Sequence, residues 1–405
     1  MKIGIIREGK VPPDFRVPLT PKQCKAIQTL YPQVVIHVQR SNIRIFPDER
    51  YSELGILLVD DLSDCDIIFG VKEVPIQELI PNKTYVFFSH TIKKQAHNQK
   101  LLRAILDKNI RLIDYEVIKD KYNKRLIGFG RYAGIVGCYN SFYTWGLKSS
   151  TFQLKPAHLC HDRKEVEEEL KKVVLPTNFR VVLTGFGRVG NGAREIMSVL
   201  PIKEVSPEEY LSQKFEEPVF THLDTEDYYA HKEGKEFTKN EFYSLPELYM
   251  SVFEKFAFKS DMYIPCHFWS SKSPLILPRE VLVSPENRIK VVGDISCDVD
   301  GPIASTIRAS SIGNAVYGYN PQSNLETDFM AADAIAVMAI DNLPCELPKD
   351  ASEDFGNELI KYVIPRLLED DPDRIIERAT QTSSEGELMP DFKYLEDYAN
   401  GILVG

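Results

Sequence analysis

Arg180-Val181-Val182-Leu183-Thr184-Gly185-Phe186-Gly187-Arg188-Val189-Gly190 joins an apolar run to three glycines at G-x-G-x-x-G spacing. The run from Arg180 to Thr184 reads as a short buried strand. Ala193, Ile196, Met197 and Leu200 then recur at helical spacing, which starts a helix near Gly190. Strand, glycine turn and helix are the setting of a dinucleotide-binding turn. Gly185 permits the tight turn, Gly187 lets backbone approach a pyrophosphate, and Gly190 lets helix and strand pack closely. Arg188 and Val189 belong to the same turn and count with the glycines as cofactor-binding positions. The helix N-terminus offers free N–H groups and the positive end of its dipole. The plainer alternative is a glycine-rich strand–helix turn that binds nothing, and the flanks favour the nucleotide site.

Outward from that turn, 405 residues suffice for two domains or three. Hydrophobic content of 43% and charged content of 27% are those of a soluble globular protein. The 49 basic and 59 acidic residues leave a formal charge of −10. With no long basic block, this excludes a general nucleic-acid or membrane-surface binder. No apolar run approaches the ~20 residues of a membrane span. Met1-Lys2-Ile3-Gly4 leads into a strand, not a signal peptide. Seven scattered cysteines with no C-x-x-C pair fit buried thiols in a reducing cytoplasm better than disulfides or zinc. The histidines form no H-x-x-x-H pair, so no metal site is expected.

Before the turn, apolar runs 2–6, 34–38, 67–71, 85–88 and 110–113 alternate with helical segments 20–30, 47–55 and 94–108. Thr20-Pro21 opens the first of these helices as N-cap and first helical residue. Strands alternating with helices imply a doubly wound parallel sheet. A helix at 135–148 is expected to connect this domain to the next. After the turn the α/β rhythm repeats, with Ile202–Val205 as the second strand, a helix at 245–257, and strands 262–265 and 290–295. The small apolar residues 330–340 predict a packed helix that returns the chain to the first domain. Residues 213–243 give no clear pattern. The expected fold is α/β with two Rossmann-like doubly wound parallel-sheet domains and a cleft between them. The expected domains are 1–140 plus about 325–405 for substrate, and 141–324 for the dinucleotide.

Four runs of the first domain end in ionisable residues: Arg7, Lys72, His90, and Asp114 with Glu116. Ligands of an open parallel sheet bind outside the carboxyl ends of its strands, so these groups are candidates to converge. Each alone has a plain reading, a solvated lysine or a satisfied core histidine. Their shared edge favours the functional one.

Several motifs now carry a resemblance. They are Arg16-Val-Pro-Leu-Thr-Pro21, Gly70-Val-Lys-Glu-Val-Pro75, Thr84-Tyr-Val-Phe-Phe-Ser-His-Thr-Ile-Lys93 and Arg111-Leu-Ile-Asp-Tyr-Glu116, then Phe129-Gly-Arg-Tyr-Ala-Gly134, Gly293-Asp-Ile-Ser-Cys-Asp298 and Ile340-Asp-Asn-Leu-Pro-Cys-Glu-Leu-Pro348. In this order the chain resembles the lysine-forming saccharopine dehydrogenases and lysine–ketoglutarate reductases, relatives of alanine dehydrogenase and the transhydrogenase nucleotide domain. The resemblance implies reversible oxidation of saccharopine to lysine and 2-oxoglutarate with a nicotinamide cofactor. It implies Lys72 and His90 as the acid–base pair and Arg16 as a substrate-carboxylate ligand. Glu116 and Arg131 match positions lining the substrate site, and Asp294 matches one near the cofactor. These types suit the chemistry, which removes hydride beside an amine, adds water to an iminium ion, and protonates the departing amine.

The resemblance has limits. The bifunctional relatives carry a second dehydrogenase half for which this chain has no room. Residues 205–260 match poorly, which blurs the adenosine side of the cofactor site. Glu204 or Ser206, near the end of the expected second strand, are the candidates there, with NAD favoured and NADP open. The expected partners are small molecules only, in a monomer or small homo-oligomer. The rival readings are an alanine dehydrogenase or opine-type enzyme on the same scaffold, and a non-catalytic nucleotide sensor.

Overall fold

In the computed structural model, which describes residues 1–9 and 13–402, six parallel strands form the first sheet. They are β1 (Lys2–Ile5), β2 (Val35–Gln39), β3 (Leu57–Val59), β4 (Ile67–Phe69), β5 (Thr84–Phe87) and β6 (Arg111–Asp114). Their order is β3-β2-β1-β4-β5-β6, and every neighbouring pair is parallel. Consecutive residues such as Ile67, Ile68 and Phe69, or Tyr85, Val86 and Phe87, are all buried, so both faces of the sheet are covered. Thr20 caps the helix Pro21–Leu30 in a capping box with Gln23, and Pro21 occupies its first turn. The helix Gln99–Asp107 turns Leu101, Leu102, Ile105 and Leu106 inward.

This first unit comprises Met1–Phe129 and Pro348–Gly405. Its second portion completes the core: Phe355 and Leu359, on the helix Pro348–Tyr362, join Val363, Ile364, Ile375, Ile376 and Ala379 against the sheet. Thr380 then forms an antiparallel bridge with Ile113 of β6, and the Gln381 N–H donates to the Leu112 carbonyl at 2.7 Å.

The second unit is Gly130–Leu347. Its sheet contains β7 (Arg180–Thr184), β8 (Lys203–Glu204), β9 (Val219–Leu223), β12 (Met262–Pro265), β13 (Val291–Gly293), β14 (Val316–Asn320), β15 (Leu325–Thr327) and β16 (Ile335–Met338). The order is β15-β14-β16-β13-β12-β7-β9-β8. The six strands from β16 to β8 are parallel, while β14 and β15 are antiparallel additions at one edge, so this sheet is mixed. β10 (Tyr229–His231) and β11 (Tyr249–Ser251) form a separate antiparallel pair. The helix Gly130–Ser149 lies close on the helix Arg188–Met197. A Cβ on Gly134 would sit 1.9 Å from the Val189 carbonyl oxygen.

Several expectations change. Residues 335–338 are a buried strand, not part of a helix returning the chain to the first unit. The return comes after Leu347, and the first crossing falls at 129, not 140, because the long helix starts at Gly130 and packs within the second unit. The strand after the glycine turn, Lys203–Glu204, lies at the sheet edge, and β9 takes the place beside β7. Residues 245–257 hold β11 between two short helical turns instead of one helix.

Candidate functional site

In the first unit, β1, β4, β5 and β6 are consecutive in the sheet, and their carboxyl ends bring ionisable groups to one edge. Glu8 follows β1. Its Oε1 accepts the Val71 N–H at 2.7 Å and its Oε2 accepts the Lys72 N–H at 3.1 Å. Glu8 therefore fixes the backbone that carries Lys72. Burial pushes the Glu8 carboxyl up to about 7. Asp14 takes a fork from Arg16, Nε to Oδ1 at 2.9 Å and Nη2 to Oδ2 at 2.6 Å. Burial raises the Asp14 carboxyl, but Arg16, and more weakly Lys72, bring it below its ordinary value. Arg16 is itself buried and lies 4.1 Å from the Phe129 ring centre. Arg7, by contrast, is half-exposed and pairs with Glu78 at 3.3 Å.

His90 follows β5 with a left-handed backbone, φ 54°. Its Nδ1 lies 3.3 Å from Glu116 Oε2 and its Nε2 lies 3.7 Å from Glu73 Oε1, one carboxylate at each ring nitrogen. The other Glu116 oxygen meets Lys93 at 3.2 Å and Arg125 at 3.4 Å. Burial pushes Glu116 up, but the His90 hydrogen bond and these two cations overcome it and hold the carboxyl at about 2. Behind them Asp114, buried and raised by burial to about 6, accepts from Ser89 Oγ, from Gln381 Nε2 at 3.0 Å and from the Glu116 N–H at 2.8 Å. Thr91 Oγ1 donates to Gln381 Oε1 at 2.7 Å. The C-terminal segment thus braces the loop that presents His90.

In the second unit the glycine turn has the expected form. Gly185 has φ +97°, and a Cβ there would lie 2.8 Å from the Cys266 carbonyl oxygen and from His267 Cα. A Cβ on Gly190 would lie 1.7 Å from the Gly185 carbonyl oxygen. A Cβ on Gly187 meets nothing within 4 Å. Gly187 is the N-cap residue of the helix Arg188–Met197, so a side chain there would stand beside the first turn of that helix. The turn borders a cavity of about 660 Å³ whose wall includes Gly185, Gly187, Asp224, Tyr228, Lys239 and Trp269. That size suits a small-molecule cofactor, and the residues present fit a dinucleotide.

Asp224 ends β9, directly beside β7, and takes the position that the sequence reading gave to Glu204 or Ser206. Glu204 instead pairs with Arg194 at 2.8 Å on the edge strand, and Ser206 caps the helix Pro207–Ser212. The signal for Asp224 was present as a short strand-forming stretch, Val219-Phe-Thr-His-Leu223, followed by an acid. It lies about twice as far from the glycines as usual because β8 and a helix intervene. Asp294 ends β13, two strands from β7, and its carboxylate is filled by its own loop. Oδ1 accepts from the Ser296 and Cys297 N–H groups at 3.1 Å each, and Oδ2 from Thr306 Oγ1 at 2.6 Å. Arg131 belongs to this unit, where it forks onto Glu195 at 2.6 and 2.8 Å. Among the described residues no group of three or more His, Cys, Asp or Glu is placed to hold a metal, and no helix is long and apolar enough to cross a membrane.

Comparison with known proteins agrees with this architecture. Residues 4–136 match the family described as alanine dehydrogenase/PNT, N-terminal domain. The chain is 32% identical to α-aminoadipic semialdehyde synthase of Arabidopsis thaliana over 89% of its own length and 38% of that protein's. It is 30% identical to the mitochondrial enzyme of that name from Bos taurus, over 94% and 46%. The chain therefore spans less than half the length of these relatives. Against the saccharopine dehydrogenase [NAD(+), L-lysine-forming] of Schizosaccharomyces pombe the identity is 26%, over 90% of the chain and 91% of the relative. Among solved structures, an L-alanine dehydrogenase superposes with a TM-score of 0.64 at 15% identity, covering 98% and 100% of the two chains. A transhydrogenase from Sinorhizobium meliloti gives 0.59 at 14%, covering 97% and 100%. These two likenesses show the fold.

Proposed function

We propose that this chain, a homologue of the saccharopine dehydrogenases and α-aminoadipic semialdehyde synthases, interconverts saccharopine with L-lysine and 2-oxoglutarate. The observation that carries the reading is the ionisable edge of the first sheet. Adjacent strands there end at Lys72, braced by Glu8, and at His90, set between Glu73 and Glu116. A bound nicotinamide ring supplies or accepts the hydride. Lys72 and His90 move the protons: one takes the proton of the substrate amine or of the attacking water, and the other returns a proton to the departing amine. The carboxylates beside His90 orient the ring and partner a proton on either nitrogen. Arg16 and Arg131 are our candidates for substrate carboxylates because the guanidinium suits two-point carboxylate binding, and each is held in place by a protein carboxylate, Asp14 and Glu195.

The glycine turn and its cavity are our site for the cofactor, and Asp224 at the strand end supports NAD. The seven cysteines form no disulfide, which suits a reducing compartment such as the cytoplasm, although the bovine relative is named mitochondrial. A second reading, an alanine dehydrogenase, is favoured by the match of residues 4–136. Steady-state assays following NADH or NADPH oxidation separate the two. The expected result is turnover with lysine plus 2-oxoglutarate and little with ammonia plus pyruvate. The reverse preference establishes the second reading.

A further inference from the structure

Ser89 and Thr91, on either side of His90, belong to a closed ring of hydrogen-bond contacts. Ser89 Oγ meets Asp114 Oδ2 and lies 2.7 Å from Thr91 Oγ1. Thr91 Oγ1 lies 2.7 Å from Gln381 Oε1, and Gln381 Nε2 returns to the same Asp114 oxygen at 3.0 Å. All four residues are 0% exposed, so their protons can be counted without water. With Asp114 ionised, the four contacts share three protons, from two hydroxyls and one amide N–H. If Ser89 and Gln381 donate to Asp114 and Thr91 donates to Gln381, the two hydroxyl oxygens stand 2.7 Å apart with no proton between them. With Asp114 protonated there are four protons, and they run round the ring in one sense. Asp114 donates to Ser89, Ser89 to Thr91, Thr91 to Gln381, and Gln381 to Asp114. Turning the Gln381 amide over reverses the sense and still requires the Asp114 proton.

We propose that Asp114 is a positioning residue that acts as a neutral carboxylic acid, its ring with Ser89, Thr91 and Gln381 holding His90 in place for proton transfer. The effect on turnover rests on the acid–base reading of His90, and the protonation state of Asp114 does not. Asp114 Oδ1 also accepts the Glu116 N–H at 2.8 Å, so one side chain sets both members of the His90–Glu116 contact. Burial raises the Asp114 carboxyl, and a Ser89 hydroxyl donating to it is the largest opposing influence, which leaves it at about 6. In the acid form that bond reverses and the opposition disappears. The titratable groups acting on Asp114 are Glu116, His90 and, from the C-terminal segment, Tyr394. The negative charge of Glu116 also favours the acid, a proton on His90 opposes it, and the Tyr394 phenol is neutral at working pH.

The test is urea unfolding of the full chain from about pH 4 to 9, unmodified and as Asp114→Asn, Thr91→Val and the double variant. In Asp114→Asn the amide donates from Nδ2 to Ser89 and to a turned Gln381, completing the ring without a titrating proton. The folded protein keeps a proton that the unfolded chain releases above its ordinary carboxylate value. The unmodified protein is therefore expected to lose stability relative to Asp114→Asn as pH rises from about 4 through the folded value. The ratio of their unfolding constants changes about tenfold per pH unit over that range. Thr91→Val removes the contact that lacked a proton, leaving an ionised Asp114 with Ser89 and Gln381 as donors. On that background the pH dependence is expected to flatten. A difference that is independent of pH, or one in which Asp114→Asn is the weaker protein at neutral pH and recovers on acidification, overturns the proposal. Steady-state kinetics read the positioning role. Thr91→Val is expected to lower turnover by about 10–10²-fold with Michaelis constants nearly unchanged, and unchanged turnover overturns that role. An unmodified protein without the proposed activity overturns the role together with the acid–base reading, and the melts still decide the acid.

Discussion

His90 shows how much of the site depends on single side chains. Its left-handed backbone is a conformation that non-glycine residues adopt at some cost, and it is held by the Ser89–Thr91–Gln381–Asp114 network. If Lys72 and His90 share proton transfer, Lys72→Met and His90→Gln are each expected to lower turnover by about 10²–10⁴-fold. The double variant is expected to lose far less than the product, because groups acting as a unit are not additive. Steady-state kinetics from pH 5 to 10 with saccharopine and NAD check this, and unchanged profiles in both single variants would mark the residues as structural. Glu116 gives a stability prediction of opposite character. Its folded pKa is depressed to about 2, so its contribution is present above the ordinary carboxylate value and is lost as pH falls towards 2. Lys93 and Arg125 are each about half-exposed, which screens the pairs and limits the Glu116→Gln penalty at pH 7 to about 2 kcal/mol. Urea melts are expected to show that penalty shrinking between pH 4.5 and pH 2; a penalty independent of pH contradicts it. The placing of Lys72, His90 and Glu116 just past strand ends was legible in the sequence, because a parallel sheet sends every strand end to one edge. Glu8, Glu73 and Asp14 were not, because their partners are set by loop geometry that no periodicity encodes.

At the scale of elements, the glycine turn was readable because strand, turn and helix each left their own pattern within eighteen residues, Arg180 to Met197. The segment 330–340 was misread for a physical reason. A strand buried on both faces is apolar throughout, and Ala-rich runs carry no period that separates it from a packed helix. Asp224 on the cavity wall was missed because an extra edge strand displaced β9 from its usual spacing. The glycines themselves predict two different failures. Gly187→Val adds a side chain where a Cβ meets nothing, at φ −74°, so the protein is expected to fold normally. It is expected to lose dinucleotide affinity, because the new side chain occupies the approach to the helix N-terminus. Gly190→Ala drives a methyl group against the Gly185 carbonyl oxygen and is expected to destabilise the second unit itself. Thermal melts paired with NADH titration distinguish them, and equal loss of stability in the two variants contradicts this account of the turn.

For the whole molecule, the two units differ in how the chain builds them. The second is one continuous segment, Gly130–Leu347, with a core drawn from within it, from Val182 to Ala339. The first is discontinuous, and its core takes Phe355, Leu359, Ile364 and Ile376 from the returning C-terminal portion, all 3% exposed or less. At about 1.5–3 kcal/mol for each fully buried side chain, those four contribute about 6–12 kcal/mol. That is comparable to the entire stability of a typical domain, about 5–15 kcal/mol. Removing the C-terminal portion also uncovers the edge of β6, which Thr380 and Gln381 otherwise pair, leaving a template for aggregation. The segment 130–347 expressed alone is therefore expected to melt cooperatively and to bind NADH or NADPH. The segment 1–129 alone is expected to be unfolded or aggregated, and to regain a cooperative transition when 348–402 is joined to it through a short linker. Circular dichroism melts of the three proteins decide the matter. A cooperative melt of 1–129 alone would mean that the returning helices decorate a sheet that is already stable, and that the bracing of His90 through Gln381 can be removed without unfolding the unit that carries it.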